Sequence, residues 1–224
     1  MDFGLTPEQL RSGLIFYFLL FAVLILRAFA QAWLADRLGD PTPRSDGRVT
    51  LYPPPHVDLL GTVVLPLICI FYFQPRLAQI NFFLAWTKPV PGNPSYFKHP
   101  RRSELFTQFA GFGMCVAISL LAAVAGGLAF KSTHDVRMAE IFGSLITICA
   151  MLMVLDLLPI PPLPGGMLLR HWGVISEEAF LNISRWSGLV LLIAFNFGPV
   201  RYVIAVGVAF VAMPFLALLE ALAR

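Results

Sequence analysis

Charge is scarce in this chain. Of its 224 residues 13% are Asp, Glu, Lys or Arg against 58% hydrophobic, and mean hydropathy is +0.76. A soluble core of this size does not need so much apolar surface, so composition places the chain in a bilayer. The formal charge of +3 is spread over loops without a basic run, which excludes a nucleic-acid partner. Cysteine is equally sparse. Cys69, Cys115 and Cys149 each sit inside an apolar run, which supports neither a disulfide framework nor a Cys-x-x-Cys metal site. His56, His99, His134 and His171 are scattered, and none has a second His or Cys at ligand spacing. No internal repeat suggests a transporter with two related halves.

Long apolar runs are what the sequence has instead. Crossing the hydrocarbon takes roughly 20 such residues, and residues 13–33, 105–130, 138–158 and 200–222 predict transmembrane helices in a single polytopic domain, 1–224. Residues 57–73 form another run, followed after Gln74-Pro75-Arg76 by the shorter 77–86. Residues 188–197 are a short apolar segment cut by Gly198-Pro199. If 57–86 enters and returns as a re-entrant or broken hairpin, Arg37, Arg44, Arg48, Lys88, Lys98, Arg101, Arg102, Arg170 and Arg185 share one face. Arg11, Lys131 and Arg137 are then opposite. A single crossing would split the charge weakly. The positive-inside rule therefore favours the hairpin, with the richer face cytoplasmic. Residues 14–26 followed by Ala28-Phe29-Ala30 have the outline of a cleaved leader, but Asp2 and Glu8 beside Arg11 do not make a basic n-region, and a retained helix is expected.

Four stretches carry a family likeness: Leu34-Ala35-Asp36-Arg37-Leu38-Gly39-Asp40-Pro41-Thr42, His56-Val57-Asp58-Leu59-Leu60-Gly61-Thr62, Trp86-Thr87-Lys88-Pro89-Val90-Pro91 and Leu157-Leu158-Pro159-Ile160-Pro161-Pro162-Leu163-Pro164-Gly165-Gly166. Together they resemble the small bacterial site-2 proteases, intramembrane zinc metalloproteases of the peptidase M50 type. The resemblance implies an all-α integral membrane protein of the bacterial cytoplasmic membrane. It further implies an active-site region opening to the cytoplasm and a short membrane-associated β-hairpin carrying Trp86 to Pro91.

The catalytic residues of that family are missing. In an active member two histidines at i and i+4 bind zinc and the intervening glutamate is the general base. Those positions are Arg27, Ala28 and Gln31 here, and Pro164 stands for the third ligand, an aspartate. Arginine offers donors only, glutamine is a poor zinc ligand and alanine has no base. Asp156 stands for a usual asparagine, Phe112 for a proline and Cys115 for an asparagine. His56 reads as a residue ordering its loop, and Gly165 and Gly166 belong to the broken segment whose backbone can face a strand.

An arginine inside a bilayer is costly, about 2.5 to 3.5 kcal/mol on insertion scales. An ion pair between Arg27 and Asp156, supplemented by Gln31, would fill the vacated centre. Alternatively, Asp156 lies in water at its helix end and Arg27 snorkels. The glycines Gly111, Gly113, Gly126 and Gly127 predict close helix packing, and Arg101 with Arg102 an anchor at lipid headgroups. The expected function is that of a non-catalytic pseudoprotease without cofactor, binding transmembrane segments or membrane-protein partners. The alternatives are an active zinc protease whose ligands, among His56, Cys115 and Cys149, lie elsewhere, and a small anion channel using Arg27.

Overall fold

The computed structural model describes residues 6–73, 84–194 and 197–224. Helix α1, Pro7–Arg37, begins with a capping box: Gln9 N donates to Thr6 Oγ1 at 3.2 Å and Thr6 N to Gln9 Oε1 at 2.9 Å. After the short α2, Thr42–Ser45, the chain enters an apolar helical stretch. There the four-residue α3, Leu65–Ile68, lies between π-helical turns Leu59–Val64 and Cys69–Phe73. The remaining helices are α4, Pro100–Thr133; α5, Val136–Leu157; α6, Pro164–His171; α7, Glu177–Ala194; and α8, Gly198–Ala223. Four of these, α1, α4, α5 and α8, are long and apolar enough to cross a membrane. At about 1.5 Å per residue, even the 22-residue α5 covers the roughly 30 Å hydrocarbon layer.

Helix α4 packs against each of the other three spans, and beside it lies α5. The latter is the most enclosed of the four, with 44% of its apolar window buried, whereas α8 has 17% and presents most of its surface outward. Residues Ile148 to Met153 are all buried, so this stretch of α5 is apolar all round, and the helix packs against Leu20, Val23 and Leu24 of α1 and Cys115, Ala122 and Ala123 of α4. The α4–α5 connection is tight. His134 closes α4 in the left-handed region, at φ 54°, and Asp135 caps α5 by accepting from Arg137 N at 2.9 Å.

The glycines of α4 do not act alike. A methyl group at Gly126 would lie 2.7 Å from Phe142 Cβ, and one at Gly127 2.6 Å from Leu222 Cβ, so both permit close approach to α5 and α8. Gly113 faces open space, which corrects the packing expectation for that position.

Two expectations about short segments change. Among the described residues there is no strand. Trp86 to Pro91 carries no regular structure, because Pro89 and Pro91 lack the N–H groups a ladder needs. Residues 74–83, the rest of the expected hairpin, lie outside the described residues. The apolar segment 188–197 falls largely in α7, which starts at Glu177, while 195 and 196 lie outside the described residues. The first half of α7 is polar on one side (Glu177, Glu178, Ser184, Arg185), so a search for apolar runs passes over it.

The ends of the 57–86 region sit side by side. Trp86 N donates to Gly61 O at 3.1 Å and Lys88 N to His56 O at 2.9 Å, while Thr62 Oγ1 donates to Trp86 O at 2.8 Å. Buried Asp40, just past α1, then accepts from Asn93 N at 2.7 Å and Thr42 N at 3.0 Å. These bonds hold the extended segment against the end of α1, where it walls a cavity.

Candidate functional site

A cavity of about 590 Å³ lies between α1, the end of α5, the Trp86 to Gly92 segment and α7. Four residues read from the sequence as degenerate catalytic positions line it: Arg27, Ala28, Gln31 and Pro164. Asp156 lines it as well. Arg27 and Gln31 are one turn apart on the same face of α1, and Asp156 comes from the last turn of α5.

Arg27 and Asp156 are joined directly. Arg27 Nη2 lies 2.8 Å from Asp156 Oδ1 and 2.9 Å from Oδ2, so one guanidinium nitrogen spans both carboxylate oxygens. Nη1 is left free to donate to Cys115 Sγ at 3.2 Å. Side-chain exposure is 13% for Arg27 and 6% for Asp156, which is incompatible with a carboxylate standing in water. Two charges withdrawn this far from solvent are tolerable only as a hydrogen-bonded pair. Gly111 makes the room: a methyl group there would press to 3.4 Å from Arg27 Cζ and 3.3 Å from Gln31 Nε2. Its reading as a plain helix-packing glycine missed this, because nothing in the sequence says that a guanidinium crosses α4 at that level.

Gln31 does not supplement the pair. Its Nε2 donates to the Gln108 backbone carbonyl of α4 at 3.2 Å. That acceptor carries no residue-type signal. Cys115 is fully buried behind Arg27 and is not part of the cavity wall. His56 is also fully buried, with Nε2 2.8 Å from Thr50 O, and its carbonyl holds Lys88, so it ties two loops together. Gly165 and Gly166 pack against the backbone of Leu157, Ile160 and Pro161, where a side chain has no space.

The broken segment after α5 offers an incomplete edge. Leu158 N, Ile160 N and Leu163 N donate to Leu155 O, Leu158 O and Ile160 O, and residues 159, 161, 162 and 164 are prolines. From Leu158 to Pro164 every amide donor is thus used or absent. Only carbonyl oxygens remain for an outside partner, so the strand-pairing edge expected here lacks half of its groups.

Sequence reading also did not find the Arg170 cluster. Arg170 of α6 bonds Glu104 of α4 at 2.5 Å and Glu177 of α7 at 3.0 Å, and its Cζ lies 4.6 Å from the centre of the Phe180 ring. Burial pulls the guanidinium pKa down, but the two carboxylates outweigh it and hold Arg170 above its ordinary value. Glu104 lines the cavity, so this cluster connects its rim to α7.

The residues present do not fit the zinc site the family resemblance implies. Arg27 is a permanent cation, Ala28 and Pro164 have no side-chain donor atoms, and Asp156 is engaged by Arg27. Among the described residues no three or more His, Cys, Asp or Glu side chains come together as a metal site would require.

No family model matches the chain, and no solved structure matches it at a significant level. It is similar to a protein of Bacillus subtilis (strain 168) that bears the name "Putative zinc metalloprotease YwhC", with 28% identity over 151 residues. The match covers 62% of this chain and 60% of the relative, so the chain spans less than two thirds of that protein's length. This is an integral membrane protein with four candidate spans, distantly similar to a bacterial protein named for zinc-dependent proteolysis.

Proposed function

We propose that this protein is a catalytically inactive homologue of the site-2 proteases that binds transmembrane segments of partner proteins in the cavity between α1, α5 and α7. The observation that carries the reading is the Arg27–Asp156 pair, in which the residue that the family resemblance matches to the first zinc ligand is instead bonded to a carboxylate. Hydrolysis there would need an activated water. The positions matched to the ligands and the base supply a cation, a methyl group, an amide and a proline instead.

The cavity face is cytoplasmic on this reading, in the cytoplasmic membrane of a bacterium. In support, the close approach of Lys88 to His56 puts both ends of the 57–86 region at one level, as a returning path requires. The Lys- and Arg-rich loops then share one side.

The name of the B. subtilis relative favours a second reading, an active zinc protease with ligands elsewhere. Metal content separates the two. The protein, purified in mild detergent and washed with chelator beside the B. subtilis relative, is expected to retain no zinc. Near-stoichiometric zinc in a monodisperse sample would overturn the proposal.

A further inference from the structure

The two polar side chains that α1 presents to the cavity are only partly used. Arg27 has five N–H groups. Asp156 and Cys115 take those of Nη2 and one of Nη1. Nε has no partner and is not buried, and the side chain lines the cavity, so this N–H is reached from that space. Gln31 likewise spends its Nε2 on Gln108 and keeps Oε1, an acceptor, on the cavity side.

A donor at position 27 and an acceptor at 31 are separated along the helix by four residues, roughly 6 Å. One edge of an extended chain offers an N–H and a C=O within every two residues, roughly 6.6 Å, so both kinds of group come within reach of the two side chains. We infer that Arg27 and Gln31 form a main-chain recognition site for an extended, uncharged hydrophobic peptide segment, with Arg27 donating to a backbone carbonyl and Gln31 Oε1 accepting a backbone N–H. This rests on the groove-binding function proposed above and assigns its contacts.

The surroundings select the occupant. Leu24, Leu84, Leu152 and Leu191 make much of the wall apolar. An anionic ligand is disfavoured, because Asp156 already balances Arg27 and two further carboxylates, Asp40 and Glu104, line the same space. Of the broken segment, Pro162, Leu163 and Pro164 line the cavity, and none has an amide donor to give. Arg27 supplies a donor that this wall lacks.

The test uses the full chain in lipid nanodiscs and a capped heptapeptide of leucine and alanine carrying one photoactivatable leucine. The parent peptide is compared with versions N-methylated at one central amide at a time, and cross-links are mapped by mass spectrometry. In the wild type, N-methylation at one central position is expected to lower cross-linking roughly fivefold, about the effect of one hydrogen bond. In Gln31→Leu that penalty disappears. An equal penalty in both proteins would overturn the assignment, as would displacement of the peptide by laurate. Cross-links mapping outside the cavity in the wild type would sink the groove-binding function itself. If Gln31→Leu does not give monodisperse protein, the wild-type scan decides: a penalty confined to one amide supports the site, and a flat scan refutes it.

Discussion

One nitrogen of Arg27, Nη2, reaches both oxygens of Asp156 across 129 residues of sequence, joining the middle of α1 to the last turn of α5. Removing either partner leaves an uncompensated buried charge, for which a loss of about 3 to 5 kcal/mol is expected. Arg27→Ala and Asp156→Ala combined should lose far less than the sum, since the double variant buries no orphan charge. Denaturant titration in detergent reads the cycle, and additive losses would refute the coupling.

Introducing the ligand set of the site-2 proteases tests the proposed frame. A variant combining Arg27→His, Ala28→Glu, Gln31→His and Pro164→Asp, with Asp156→Asn to remove the stranded carboxylate, carries the residue types of a three-ligand zinc site. It is expected to purify with about one zinc per chain. Metal analysis of the folded variant decides, and its absence would mean that positions 27, 31 and 164 do not converge on a common centre.

Glycines of α4 should respond by location rather than by type. Gly127→Ala puts a methyl group 2.6 Å from Leu222 Cβ and 2.8 Å from the Leu219 carbonyl, and a loss of about 1 to 3 kcal/mol is expected. Gly113→Ala meets nothing and should be neutral or gain up to roughly 1 kcal/mol from helix propensity. Thermal unfolding of the two variants in the same detergent would expose the contrast, and equal effects would contradict it.

Arg170 holds the first turn of α7 through Glu177 and the rim of the cavity through Glu104. Glu104 is 28% exposed and Glu177 64%, so Glu104→Gln should weaken the cluster more than Glu177→Gln. Arg170→Lys keeps the charge but loses the planar fork and the stacking on Phe180, and should restore only part of what Arg170→Ala removes. Hydrogen exchange over residues 177–186 measures this. Unchanged protection in Arg170→Ala would show that α7 is held by other contacts.

The sequence by itself determined the bilayer as solvent and which atoms each side chain at positions 27, 28, 31 and 164 can offer. A crossing needs an unbroken apolar run, which α1, α4, α5 and α8 write out residue by residue, and a proline or alanine lacks a ligand atom wherever it folds. The polar first half of α7 was illegible to the same reading, because a helix that keeps one side wet has no long run to detect. Only the tertiary structure decided the atoms of the centre. Sequence nominated Arg27 and Asp156, but the choice of one nitrogen for both oxygens, the turn of Gln31 towards a backbone carbonyl and the space left by Gly111 depend on how α1, α4 and α5 pack. The physical reason is that a side chain's partner is fixed by distances of a few ångströms between helices far apart in sequence, while its capacity to donate, accept or ligate is fixed by its own atoms.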